Sequence, residues 1–90
     1  MLYMILEKYK EGSVEEIYRR AREKGRMLPP GLNYISSWVD MDFKRCFQIM
    51  ETKDQRLFQV WMQQWNDLID FAVIPVRTSD EAVRIMQAMQ

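Results

Sequence analysis

Two strand–helix–strand units follow one another within ninety residues, and that order constrains the fold more than any other property of the chain. Leu2 to Tyr9 (LYMILEKY) opens with apolar residues at both alternating phases, the pattern of a strand covered on two sides. Glu11-Gly12 breaks it. Ser13 with Glu16 reads as a capping box, and Val14, Ile17, Tyr18 and Ala21 then recur at helical spacing. Gly25 and Pro29-Pro30-Gly31 stop that helix and mark a loop. Leu32 to Met41 and Arg45 to Glu51 are two further strands. Thr52 or Asp54 caps a second helix whose inner stripe is Leu57, Phe58, Trp61, Trp65 and Leu68. Ile69 to Val76 is a last strand, with Pro75 arguing for an edge or strand-end position. Thr78 with Glu81 opens a C-terminal helix carrying Ala82, Val83, Met86 and Met89.

The connection at Asp42-Phe43 sets the register of the middle hairpin. Closure there puts Asp40 opposite Arg45, Trp38 opposite Phe47 and Ser36 opposite Ile49, and the charge pair and aromatic pair both support it. A four-residue loop keeps the same partners. Strand–helix–strand twice over is the split order of ferredoxin-like folds. The expectation is an α+β domain spanning residues 1–90, with a four-stranded antiparallel sheet, its first and third strands central, and one extra C-terminal helix.

Apolar residues make up 48% of the chain and aromatics 12%, more than one small core can hide, so a homodimer is expected. Helices can cover only one sheet face, and the other needs a partner. Thirteen basic and thirteen acidic residues cancel, which removes any global field toward nucleic acid or an anionic membrane. The absence of histidine removes histidine-based triads and the commonest zinc and haem ligand sets. No metal and no cofactor is expected. A single cysteine, Cys46, fits a reducing compartment, and the apolar run Leu2 to Leu6 is too short for a signal-peptide core or a membrane span. The expected location is cytoplasmic.

The stretches RMLPPGLNYISSWVD, RCFQIMET and WNDLIDFAVIPV resemble a bacterial family of uncharacterised domains placed in the dimeric α/β-barrel superfamily. The likeness runs from Met1 to about Ala82. It implies that two ferredoxin-like sheets pack face to face and that ligands sit in a cleft beside one sheet. Relatives in that superfamily range from cofactor-independent monooxygenases and isomerases to haem-dependent chlorite dismutases and stress-response proteins, so the resemblance implies no particular chemistry. Branches that depend on histidine have no counterpart here.

Remaining signals divide between structural and functional roles. The basic run from Arg19 to Arg26 follows Glu15 and Glu16 by one helical turn and suits a helix C-terminus, so it reads as a solvated face. The third strand lacks the aromatic pattern with which RNA-recognition domains stack bases. Trp61 and Trp65 read as core, Cys46 as a buried inert thiol, and Asp40, Asp42, Glu51, Asp67 and Asp70 as capping or solvated carboxylates. Alternation splits the hairpin into a helix-facing set (Ile35, Ser37, Val39, Cys46, Gln48 and Met50) and a mixed set. Tyr34, Ser36, Trp38, Asp40, Arg45 and Glu51 of the mixed set, with Phe47 and Ile49, are the candidate ligand-binding face, because rings and both charges occur together there. The same residues suit a dimer edge. Function is expected to be binding of a small molecule or protein partner without catalysis. The alternative is a cofactor-independent monooxygenase or isomerase acting on an aromatic or quinone-like substrate.

Overall fold

The computed structural model describes residues 1–90. Its elements are β1 (Leu2–Tyr9), α1 (Val14–Lys24), β2 (Asn33–Val39), β3 (Arg45–Glu51), α2 (Leu57–Met62), β4 (Ile69–Val76) and α3 (Ser79–Ala88). The four strands form one sheet in the order β2-β3-β1-β4, and every neighbouring pair is antiparallel. This is a mixed α+β arrangement with the central strands where the sequence pattern predicts them, compatible with ferredoxin-like topology. No helix is long and apolar enough to cross a membrane.

Alternation along β1 decides what goes inward. Tyr3, Ile5 and Glu7 are buried, whereas Leu2, Met4 and Leu6 on the opposite face are only half-buried. Cross-strand partners share a face, so Ile5 lies between Gln48 and Val73, and Glu7 between Cys46 and Phe71. Ile17 of α1, Phe58 and Trp61 of α2, and Trp65 pack on that inner face. Tyr3 meets Phe58 edge-on with ring centroids 4.9 Å apart, and Trp61 meets Phe71 in the same way at 5.2 Å.

The other face carries Leu2, Met4, Leu6, Phe47, Ile49, Ile74 and Val76, and not one of them is buried. The molecule measures 50 × 30 × 17 Å, and the shortest dimension leaves room for the sheet and a single helical layer. α3 buries no residue and exposes Val83 and Met86, with Met89 exposed just beyond its end.

The hairpin keeps the expected register. Trp38 faces Phe47 and Ser36 faces Ile49 across a four-residue loop. Asp40 N–H donates to the Arg45 carbonyl at 3.0 Å, and Arg45 Nε donates to Asp40 Oδ2 at 3.0 Å. Phe43 enters the left-handed region at φ 57°, which lets a loop without glycine turn this tightly. One feature departs from simple alternation: a bulge between Tyr34 and Ser36 pairs Tyr34 with Met50, and so turns Tyr34 to the helix-covered face.

Three local expectations are corrected. The Ser13 hydroxyl donates to the carbonyls of Lys10 (2.6 Å) and Leu68 (3.0 Å) rather than capping α1, and Glu16 turns to Arg19. The second helix ends at Met62. Three-residue backbone bonds, Gln64 N–H to Trp61 and Trp65 N–H to Met62, tighten the chain there and swing Trp65 into the core. Neither Thr52 nor Asp54 is the residue flanking that helix, which is Arg56. Thr78 does cap α3, its hydroxyl accepting from Glu81 N–H at 3.1 Å.

Ile5 is fully buried at the crossing of β1 with both neighbours, so Ile5→Ala should lower unfolding free energy by about 3 kcal/mol in urea titrations. Met41, at 94% exposure in the loop, should change it by less than about 0.5 kcal/mol when replaced by Ala.

Candidate functional site

A cavity of about 290 Å³ opens between α1 and the covered face of β1, β2 and β3. Its walls are mostly rings and aliphatic groups: Tyr9, Tyr18, Trp61 and Trp65 with Ile17 and Val39. Polar groups enter at a few points, namely Glu7, Gln48, Cys46, Ser37 and Arg26. An apolar hollow with a small number of placed polar groups is the usual form of a small-ligand site.

The polar floor is the Glu7–Gln48 pair. Glu7 is 5% exposed and Gln48 6%. Gln48 Nε2 donates to Glu7 Oε2, while Gln48 Oε1 is buried and accepts nothing. An orphaned buried acceptor costs on the order of 1–3 kcal/mol. Burial pushes the Glu7 carboxyl up to about 7, against the opposing pull of the Arg26 guanidinium. Burial, with Glu7 second, likewise raises the Cys46 thiol to about 11, which disfavours the thiolate near neutral pH. Tyr9 is driven up by burial and then by Cys46, Tyr18 and Glu7.

The rim is built from the turn after α1. Gly25 (φ 68°) and Met27 (φ 60°) are both left-handed, and Gly25 N–H closes the helix on the Ala21 carbonyl at 2.8 Å. Between them the Arg26 carbonyl accepts from both indoles, Trp61 Nε1 at 3.0 Å and Trp65 Nε1 at 3.1 Å. The two tryptophans are core residues, and they also clamp this turn onto the second helix. The Arg26 guanidinium lies 3.7 Å from the centroid of the Tyr34 ring, and its Nη2 donates weakly to Ser37 Oγ at 3.4 Å. The Tyr34 and Ser37 hydroxyls are 2.7 Å apart.

The hairpin candidates fall into four places. Trp38, Asp40 and Arg45 come together at one end of the open face, with Arg45 also 5.5 Å from the Phe47 centroid. Glu51 sits at the other end, holding Asn33 Nδ2 at 3.0 Å and the Met1 amine at 3.2 Å. Ser36 lies on that face between them, opposite Ile49, and Tyr34 is on the other side of the sheet beside the cavity. Asp40 is held below the usual carboxylate range by the backbone N–H of Lys44 and by Arg45. The basic run is partly consumed by ion pairs, Arg19 with Glu16 and Glu23, and Arg20 with Asp67 at 2.7 Å.

Residue patterns alone did not single out Glu7, Gln48 or Arg26. The signal for Glu7 was present, since it shares the phase of Tyr3 and Ile5 on β1, and an acid at a core phase is costly unless partnered. Arg26 could not be found in this way, because its position depends on two left-handed residues and two indole bonds.

Fold and cavity together define a small α+β domain with a covered sheet face that holds a ligand-sized hollow and an open face that is apolar. The chain belongs to the family described as domain of unknown function (DUF3303), whose profile matches residues 1–90. No curated protein matches it.

Glu7 gives the site a pH signature. The folded carboxyl keeps its proton to higher pH than the unfolded one, so folding takes up a proton between about pH 4.5 and 7. Stability should therefore fall as pH rises across that window. Glu7→Gln should flatten this fall and leave the variant about 2 kcal/mol more stable than the parent near pH 8, measured by urea denaturation at each pH.

Proposed function

We propose that this domain binds a small, largely apolar molecule in the cavity under α1 and works as a homodimer, a dimeric α/β barrel, joined through its open sheet faces. The observation that carries the binding half is a ring-lined hollow with the buried, hydrogen-bonded Glu7–Gln48 pair among its lining residues. A mostly apolar hollow with a few placed polar groups is the usual form of a small-ligand site. Binding should appear as shifts of the Trp61 and Trp65 indole N–H resonances when single-ring fragments are added. Ala21→Trp, which fills the cavity from α1, should abolish those shifts. Shifts that survive it, or no shift from any fragment, would contradict the proposal.

The dimer half rests on the open face. Its apolar centre ends in a row of both charges, Asp70, Lys8, Arg45 and Asp40, running across four adjacent strands. A second copy related by a two-fold axis can answer such a row with its own opposite charges. Sheets pack face to face at about 10 Å, which would also give the exposed stripe of α3 a neighbour. Ser36, Trp38, Asp40, Arg45 and Glu51 then serve as interface residues around the apolar centre. Light scattering should give twice the 10.9 kDa chain mass, and Phe47→Lys should return it to the monomer value. A parent protein of monomer mass at micromolar concentration would end this half.

One observation favours a second reading, a cofactor-independent isomerase or monooxygenase acting on an aromatic or quinone-like substrate. Glu7 is a buried carboxyl tuned toward neutral pH in a ring-lined cavity, and such a group can take a substrate proton and return it. Oxygen uptake or isomer formation with a panel of quinols, lost in Glu7→Gln, would support it.

A further inference from the structure

We propose that the cavity is built for a small aromatic hydroxy acid, its carboxylate on Arg26 at the rim and its hydroxyl on the Glu7–Gln48 pair at the floor. The inference rests on the ligand-binding proposal above and names the class of ligand. Three separate features of the site converge on it.

The first is a prepositioned cation. Arg26 makes no ion pair, and its side chain has one weak hydrogen bond, to Ser37, so most of its guanidinium donors remain free. Its backbone is clamped by the Trp61 and Trp65 indoles and its plane rests on Tyr34. Arg20, on the neighbouring helix surface, is instead occupied by Asp67. A free planar fork at a fixed position matches a carboxylate, which it can grip with two parallel bonds. A phosphoryl group would call for more positive charge than one arginine supplies.

The second is the floor. With Glu7 ionised, its Oε2 accepts from Gln48 Nε2, and its Oε1, which has no protein donor and is not fully buried, is left to accept. The matching ligand atom is therefore a donor. A neutral hydroxyl meets this need without placing a second cation in the same cavity as Arg26.

The third is the wall between them. Tyr9, Tyr18 and Trp61 supply ring surfaces, and about 290 Å³ is at the lower end of ligand cavities, which suits a single ring.

The test uses four probes, 3- and 4-hydroxybenzoate, benzoate and phenol, titrated by calorimetry at pH 8 against the full chain. One of the two hydroxybenzoates should bind about tenfold more tightly than benzoate and phenol, as expected for one charge-assisted and one neutral hydrogen bond. Arg26→Met should remove the advantage over phenol, and this exposed position tolerates the change. Glu7→Leu, which removes the accepting oxygen, should remove the advantage over benzoate. Because Glu7 is buried, the probe series on the parent protein carries the same comparison if that variant does not fold. Equal affinity for all four probes would overturn the hydroxy-acid assignment and leave the cavity proposal standing. Indole shifts with neutral fragments but none with either hydroxybenzoate would do the same. No heat and no indole shift with any compound would overturn both.

Discussion

Because β1 is hydrogen-bonded along both edges, to β3 on one side and β4 on the other, each of its side chains has only two destinations. One is the space under the helices, the other the open face of the sheet. Tyr3, Ile5 and Glu7 take the first, and Leu2, Met4 and Leu6 the second. A shift by one residue would exchange them all, and the Tyr3–Phe58 contact with the fully buried Ile5 holds the strand in place. Glu7 is thus carried into the interior by the packing of its neighbours. Its burial, its pairing with Gln48 and its raised pKa are consequences of that register.

The same constraint separates the two surfaces on which function is proposed. The covered face closes well around Tyr3, Ile5, Met50 and Phe58, but toward the other end of β1 it meets α1 across a hollow. There the small residues Ala21 and Ser37 leave room that Trp61 and Trp65 do not fill. The open face has the opposite character, a broad apolar centre with charge at its margin. A single-layer sheet can thus give one side to a ligand and the other to a second copy.

Much of this architecture was legible in the sequence, and physical reasons explain which parts. The bounds of β1, β3 and β4, and the pairing of Trp38 with Phe47, follow from period-two patterns and cross-strand chemistry, which are local. The bulge at Ile35 is not local. It answers the need to place Tyr34 under Arg26, across a loop of glycine and prolines, and no alternation rule anticipates it. The missing Ser13 cap has a similar cause, because the Leu68 carbonyl, distant in sequence, draws the hydroxyl away. Charges were placed on the right face of the hairpin, whereas the cavity went unseen because it is a property of how α1 stands off the sheet.

The account turns on a carboxyl held inside the molecule at the cavity floor. The direct measurement is a titration of the Glu7 side-chain carboxyl carbon by NMR, with Glu7→Gln assigning the resonance. A midpoint near 7, well above the ordinary 4.5, is the predicted result. A midpoint near 4.5 would mean that Glu7 is hydrated, that the Glu7–Gln48 floor does not exist as described, and that the ligand proposal loses its foundation.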